Sequence, residues 1–140
     1  MITGLSHVSI AVPSLEAAAK RLKELYGLDI GPAKVNEQQG VRLAYVEFPN
    51  ARIELMEPLR PDSPISKFLE RNPHGGIHHF CLNVDDVPAA AARLGKKGAR
   101  VLGDGTPQKN VHGERIAFVH PKDFLGALVE IEESKAKGKP

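Results

Sequence analysis

The 140-residue sequence has a single cysteine, Cys81, so no disulfide can form within the chain. Such sparing use of cysteine fits a reducing, cytoplasmic setting. No apolar run approaches the roughly 18 residues that a membrane-spanning helix needs. A secretory leader pattern is also missing: Met1-Ile2-Thr3 runs straight into a strand-like segment. Charge of neither sign dominates. Lys and Arg number 19 against 17 Asp and Glu, for a net charge of +2. That balance excludes a strongly basic footprint for nucleic acid or a membrane surface, and leaves only local basic patches for a small anionic ligand. Gly103-Asp104-Gly105 lacks both the Gly-Lys-Ser/Thr signature and the following helix of a phosphate loop. What remains is ordinary globular composition, 41% hydrophobic and 26% charged. The length suits one domain, or two small modules sharing one core. Residues 134–140 read as a solvated tail.

The chain repeats itself, and a repeat governs every later reading. Leu5-Ser6-His7-Val8-Ser9-Ile10-Ala11-Val12 returns as Ile77-His78-His79-Phe80-Cys81-Leu82-Asn83-Val84, with His7 on His79 at an offset of 72. Arg42-Leu43-Ala44-Tyr45-Val46 returns as Arg115-Ile116-Ala117-Phe118-Val119 at offset 73. Arg52-Ile53-Glu54-Leu55 returns as Leu128-Val129-Glu130-Ile131 at offset 76. Loop insertions account for the growing offset.

Residues 5–12 alternate, with Val8, Ile10 and Val12 on one face and His7, Ser9 and Ala11 on the other, the period of a β-strand. Ser14 caps a helix carrying Leu15, Ala18, Ala19, Leu22, Leu25 and Tyr26 at helical spacing, and Gly27 ends it. Strands are expected over 28–36, 41–48 and 52–57, giving module 1 (about 5–57) the order βαβββ. A connector helix over about 63–71 starts at Ser63-Pro64. Module 2 (about 77–132) repeats the order: strand 77–84, cap Asp85-Asp86, a helix with Val87, Ala90, Ala91 and Leu94 buried, strand 99–103, a polar loop 104–114, then two strands. Together they form a single α+β domain over residues 1–140.

Each module contributes a His on its first strand and a Glu on its last: His7, Glu54, His79 and Glu130. A lone strand His usually packs, and a lone strand Glu is usually solvated. Here Glu54 and Glu130 both sit between apolar neighbours that must face the helices, so the carboxylates point the other way. Burying a carboxylate unpaired is costly. Paired modules would bring all four to one divalent transition metal with open coordination positions, unlike a closed structural zinc site. His78 points to the opposite face. Cys81 shares the face of His79 and reads as a small buried hydrophobe. His74, His112 and His120 fall in loops or at strand ends, with His112-Gly113 able to border a ligand.

These residues carry a family resemblance. The segments are His7 to Pro13, Ile53-Glu54-Leu55-Met56-Glu57-Pro58-Leu59, Asp62-Ser63-Pro64-Ile65 to Leu69, Gly75 to His79, His112-Gly113 through His120-Pro121-Lys122, and Gly126 to Glu130. The chain resembles the vicinal oxygen chelate (glyoxalase-like) superfamily over about residues 5–132, and within it the methylmalonyl-CoA epimerase family. The resemblance implies two duplicated βαβββ modules in an open cup-shaped mixed sheet with helices outside. It implies epimerisation of (R)- and (S)-methylmalonyl-CoA by C2 proton abstraction through a metal-stabilised enolate. The implied cofactor is a divalent ion, Co2+ first, with Zn2+, Ni2+ or Mn2+ also compatible; the implied assembly is a homodimer, and no partner protein is indicated. Glu130 matches a family glutamate that is both ligand and acid–base candidate. The second family glutamate falls on Leu43, which cannot carry a proton. Glu47, of the same strand parity, is the catalytic alternative, with a water as the other. Some members carry Gln in place of Glu54. Two further readings compete: a glyoxalase-type lyase or isomerase acting on a thiol adduct, and a non-catalytic ligand-sequestering module, which typically holds no metal.

Overall fold

The computed structural model describes residues 1–106 and 108–134. Its elements are β1 (Ile2–Ala11), α1 (Leu15–Tyr26), β2 (Lys34–Asn36), β3 (Val41–Glu47), β4 (Arg52–Pro58), α2 (Ser66–Arg71), β5 (Gly76–Val84), α3 (Val87–Lys96), β6 (Gln108–Lys109), β7 (Arg115–Val119) and β8 (Leu128–Glu133). A 3-10 turn at Pro121–Asp123 precedes β8. The order βαβββ therefore occurs twice, as the repeat requires. The chain forms two compact units: an N-unit, Val8–His78, and a C-unit built from Met1–His7 with residues from His79 onward. β1 thus serves both, its first residues in the C-unit and its last in the N-unit. Among the described residues, no helix is long and apolar enough to cross a membrane.

In the N-unit, β3 pairs antiparallel with β4, setting Tyr45 opposite Glu54 and Glu47 opposite Arg52. β2 extends this ladder antiparallel from Lys34 to Asn36. Ser14 accepts from the Ala17 amide to start α1, and Gly27, at φ 68°, ends it in the left-handed region that glycine enters without steric cost. The stripe Leu15, Ala18 and Leu22 packs on Val12, Ile53 and Leu55. In the C-unit, β5 runs parallel to β8, and β7 antiparallel to it. Asp86 accepts from the Ala89 amide at 2.8 Å to start α3, whose Val87, Ala90, Ala91 and Leu94 pack on Val84, Ala117 and Ile131. Both interiors are thus held by burial of a helical stripe on a sheet face, each fully buried aliphatic side chain contributing about 1.5–3 kcal/mol.

The duplication extends to a fastening at the start of each of these helices. The first amide of α1, Leu15 N, donates to Glu57 Oε1 at 2.7 Å. The first amide of α3, Val87 N, donates to Glu133 Oε2 at 2.8 Å. Glu57 is ion-paired with Arg42, and Glu133 with Arg115. A carboxylate at a helix N-terminus satisfies an amide that has no intrahelical partner and meets the positive end of the dipole.

Several expected elements differ. Only Lys34–Asn36 of the 28–36 segment is a strand, since Gly31-Pro32 interrupts the ladder and Pro32 has no N–H to donate. Residues 99–103 form no strand; Val101 makes one isolated bridge to Val119. Glycines with positive φ at 98, 103 and 105 break up this stretch. The loop expected over 104–114 contains β6. The connector helix starts later than Ser63-Pro64: those residues make a turn in which Ser66 N donates to Ser63 O, and Ile65 occupies the cap position. The tail reading for 135–140 lies outside the described residues.

Gly75 is required where β5 begins. Its φ is +96°, and a Cβ there would lie 2.8 Å from the carbonyl oxygen of Ala11. Gly75→Ala is expected to cost about 2 kcal/mol or more, through combined backbone strain and clash. Urea unfolding of the variant against the wild type measures it; an unchanged midpoint would remove the requirement.

Candidate metal centre and active site

The period-2 reading of β1 puts His7, Ser9 and Ala11 on one face, and these are the residues the fold buries most deeply, at 3%, 0% and 0% exposure. Val8 and Ile10 are only half-buried. The face carrying small and polar groups is therefore the interior one. Ser6 is also buried, out of alternation with His7.

In the C-unit, three of the four expected residues come together. Glu130, on β8, is buried opposite Cys81 of the parallel strand β5. His79 Nε2 lies 3.0 Å from Glu130 Oε1, and His7 Nε2 lies 3.5 Å from the same oxygen. The two imidazoles meet edge to face, with centroids 5.9 Å apart, and Phe118 packs edge-on against His79. Burial pushes the Glu130 pKa up, but the hydrogen bonds and charges of His7 and His79 outweigh it and bring it down to about 2. Glu130 is ionised at neutral pH despite its depth.

The fourth residue, Glu54, lies on β4 in the N-unit and is equally buried. Ser9 Oγ donates to its Oε1 at 2.5 Å, and Tyr45 Oη donates to its Oε2 at 3.2 Å. The sequence reading missed both partners, although each lies in a repeated segment and Tyr45 is the cross-strand neighbour of Glu54. The Arg52 guanidinium stacks over the Tyr45 ring at 4.1 Å.

Glu47 is placed differently from the catalytic expectation. It has the parity of Leu43 and Tyr45, but it stands at the exposed end of β3 with a side chain 68% exposed, 4.0 Å from Arg52. Parity fixes the side of a strand a residue faces, not its depth. Leu43 itself is buried and apolar. His78 packs edge-on against Phe68, with centroids 5.2 Å apart. His120 Nδ1 accepts from the Lys122 amide at 3.0 Å, and His112 and His74 are exposed.

The donor set of the C-unit fits a hard or borderline divalent ion. Six-coordinate ions with bonds of about 2.1 Å hold adjacent donors about 3 Å apart, close to the 3.0 and 3.5 Å spacings at Glu130 Oε1. Cys81, His7 and Glu132 also bring donor atoms within 4.8 Å of one another. Burial, with Glu130 and Glu132 nearby, raises the Cys81 pKa far above its ordinary value. With no ion bound Cys81 is thus held as a thiol, donating to Glu132 Oε1 at 3.6 Å.

The depressed Glu130 pKa has a consequence for stability. Its ionised form favours the fold fully above its ordinary value of 4.5, and that contribution is lost as pH falls towards about 2. The metal-free protein is expected to lose urea stability across that window, and Glu130→Gln to lose less. Equal losses would show that Glu130 is not held by the two imidazoles.

Comparison with known proteins agrees with this architecture. The family described as the Glyoxalase/Bleomycin resistance protein/Dioxygenase superfamily matches residues 6–118. The chain belongs to this superfamily. The protein named "Ethylmalonyl-CoA/methylmalonyl-CoA epimerase" of Cereibacter sphaeroides is 50% identical over 133 residues, covering 95% of this chain and 99% of its own. Among solved structures, methylmalonyl-CoA epimerase in complex with methylmalonyl-CoA and NH4+ superposes with a TM-score of 0.89 at 36% identity, covering 100% of both chains. Methylmalonyl-CoA epimerase from Mycobacterium tuberculosis superposes at 0.86, also at 36% identity, covering 97% of this chain and 91% of its own.

Proposed function

We propose that this protein is an epimerase that interconverts (R)- and (S)-methylmalonyl-CoA by removing and returning the C2 proton. The observation that carries the reading is the buried, ionised Glu130 gripped by His7 and His79, in a chain half identical to an epimerase of that substrate class. The C2 hydrogen lies between a thioester and a carboxylate, which makes it removable as a proton if the charge left behind is stabilised. Inversion needs removal on one face and return on the other.

His7, Glu54, His79 and Glu130 are the residues we assign to a divalent ion, Co2+ first. Support comes from the duplicated His and Glu positions and from the burial of all four. When bound, such an ion supplies positive charge for the negative charge that develops on the thioester oxygen. Glu130, ionised at neutral pH, receives the C2 proton on one face and can give it back. Ser9 and Tyr45 hold Glu54 in one orientation. Burial around the cluster excludes bulk water, which strengthens each charge interaction there. We assign the opposite face to a water molecule rather than to Glu47, which lies at a solvated strand end. A homodimer is the assembly we assign.

Incubation with methylmalonyl-CoA in deuterated water tests the reading. Deuterium should enter C2, and the two epimers should equilibrate. Absence of exchange with divalent ion supplied would reject it. The name of the Cereibacter relative makes ethylmalonyl-CoA the second substrate to assay.

A further inference from the structure

On the Nδ1 side of the His7 ring, the C-unit buries another carboxylate. Glu132 is 4% exposed. In the other module the same offset of 76 falls on Met56, a buried apolar residue, so this charge breaks the repeat. Asn110 Nδ2 donates to Glu132 Oε1 at 3.4 Å, as does the Cys81 thiol at 3.6 Å. Ser6 Oγ donates to Glu132 Oε2 at 3.4 Å, and Ser6 Oγ also lies 3.0 Å from His7 Nδ1. Ser6 breaks the repeat too, since the offset of 72 places His78 there.

A hydroxyl has one hydrogen. With it directed to Glu132, the Ser6 oxygen accepts from His7, so Nδ1 carries a hydrogen. That leaves Nε2, 3.5 Å from Glu130 Oε1, as the ring nitrogen on the side where a divalent cation would bind.

We propose that Ser6 and Glu132 are positioning residues: a carboxylate–hydroxyl–imidazole relay that fixes the His7 tautomer and aims Nε2 at a divalent cation. The inference rests on the metal reading given above. Hydrogen bonds to the remote nitrogen of a ligating histidine fix its ring orientation, and their loss typically weakens metal binding about 10- to 100-fold. The relay joins residues 126 positions apart, so it also ties β1 to β8 within the C-unit.

The test uses the full chain and two readouts. Co2+ titration, followed by its visible absorption, gives the dissociation constant; 15N spectra of the metal-free protein report which nitrogen of His7 carries hydrogen. Ser6→Ala and Glu132→Met should each raise the Co2+ dissociation constant about 10-fold or more and change the absorption spectrum. Ser6→Thr, which keeps the hydroxyl, should bind like the wild type. In the wild type Nδ1 should carry hydrogen, and in Ser6→Ala the neutral ring should shift towards Nε2–H. Unchanged Co2+ affinity in Ser6→Ala, or an Nδ1 without hydrogen in the wild type, overturns the relay. If the wild type takes up no Co2+, the metal reading fails, and the 15N spectra still decide the relay on their own. Should Glu132→Met fail to fold, Ser6→Ala with Ser6→Thr carries the comparison.

Discussion

Glu130→Gln is expected to lower C2 proton exchange by about a thousandfold or more. An amide cannot accept the proton, and loss of general acid–base catalysis alone typically costs about 100- to 10,000-fold. The substitution also removes the negative charge that sits 3.0 and 3.5 Å from His79 and His7. Glutamine keeps the volume and can still pair with His79, so the fold should survive, as circular dichroism and a cooperative urea transition would verify. Quenched-flow or discontinuous assay in deuterated water measures the rate. Activity within tenfold of wild type would remove Glu130 from the chemistry, whatever else binds at the cluster.

Exhaustive chelation is expected to abolish exchange, with Co2+ restoring it. The charge that develops when the C2 proton leaves needs an electrostatic partner, and stabilisation of that kind is usually the largest single contribution to catalysis. The described residues offer little cationic alternative at the cluster: its own charges are carboxylates, with imidazoles beside them. The measurement is exchange rate against added Co2+ after chelator removal. Full activity in metal-stripped protein would leave Glu130 as a proton carrier but would end the assignment of these residues to an ion.

The central residues were legible because the chain states them twice. A single His7 or a single Glu54 has no distinguishing local signal, whereas His7 with His79 and Glu54 with Glu130 at matching offsets do. Both ends of α1 and the start of α3 were equally legible, since Ser14, Asp86 and Gly27 act through bonds to residues a few positions away. Other features had no local trace. Ser6 and Glu132 are joined across most of the chain, and only the fold brings them together. Glu47 shows a different limit: alternation gave its side of β3 correctly, but nothing in the period says that the strand emerges into solvent there. The helix-fastening pairs were readable and overlooked. Arg42 and Arg115 recur at offset 73, and Glu57 and Glu133 at offset 76, the same signal that located the candidate ligands. Strand 99–103 failed because its flanking glycines weigh more than its short apolar content.

Anomalous diffraction from crystals of the Co2+-loaded protein, recorded on both sides of the cobalt edge, locates the ion directly. The account predicts one strong peak within about 2.0–2.3 Å of side-chain donors from His7, Glu54, His79 and Glu130. A peak bound elsewhere, or one lacking either the histidines or the glutamates, would contradict it.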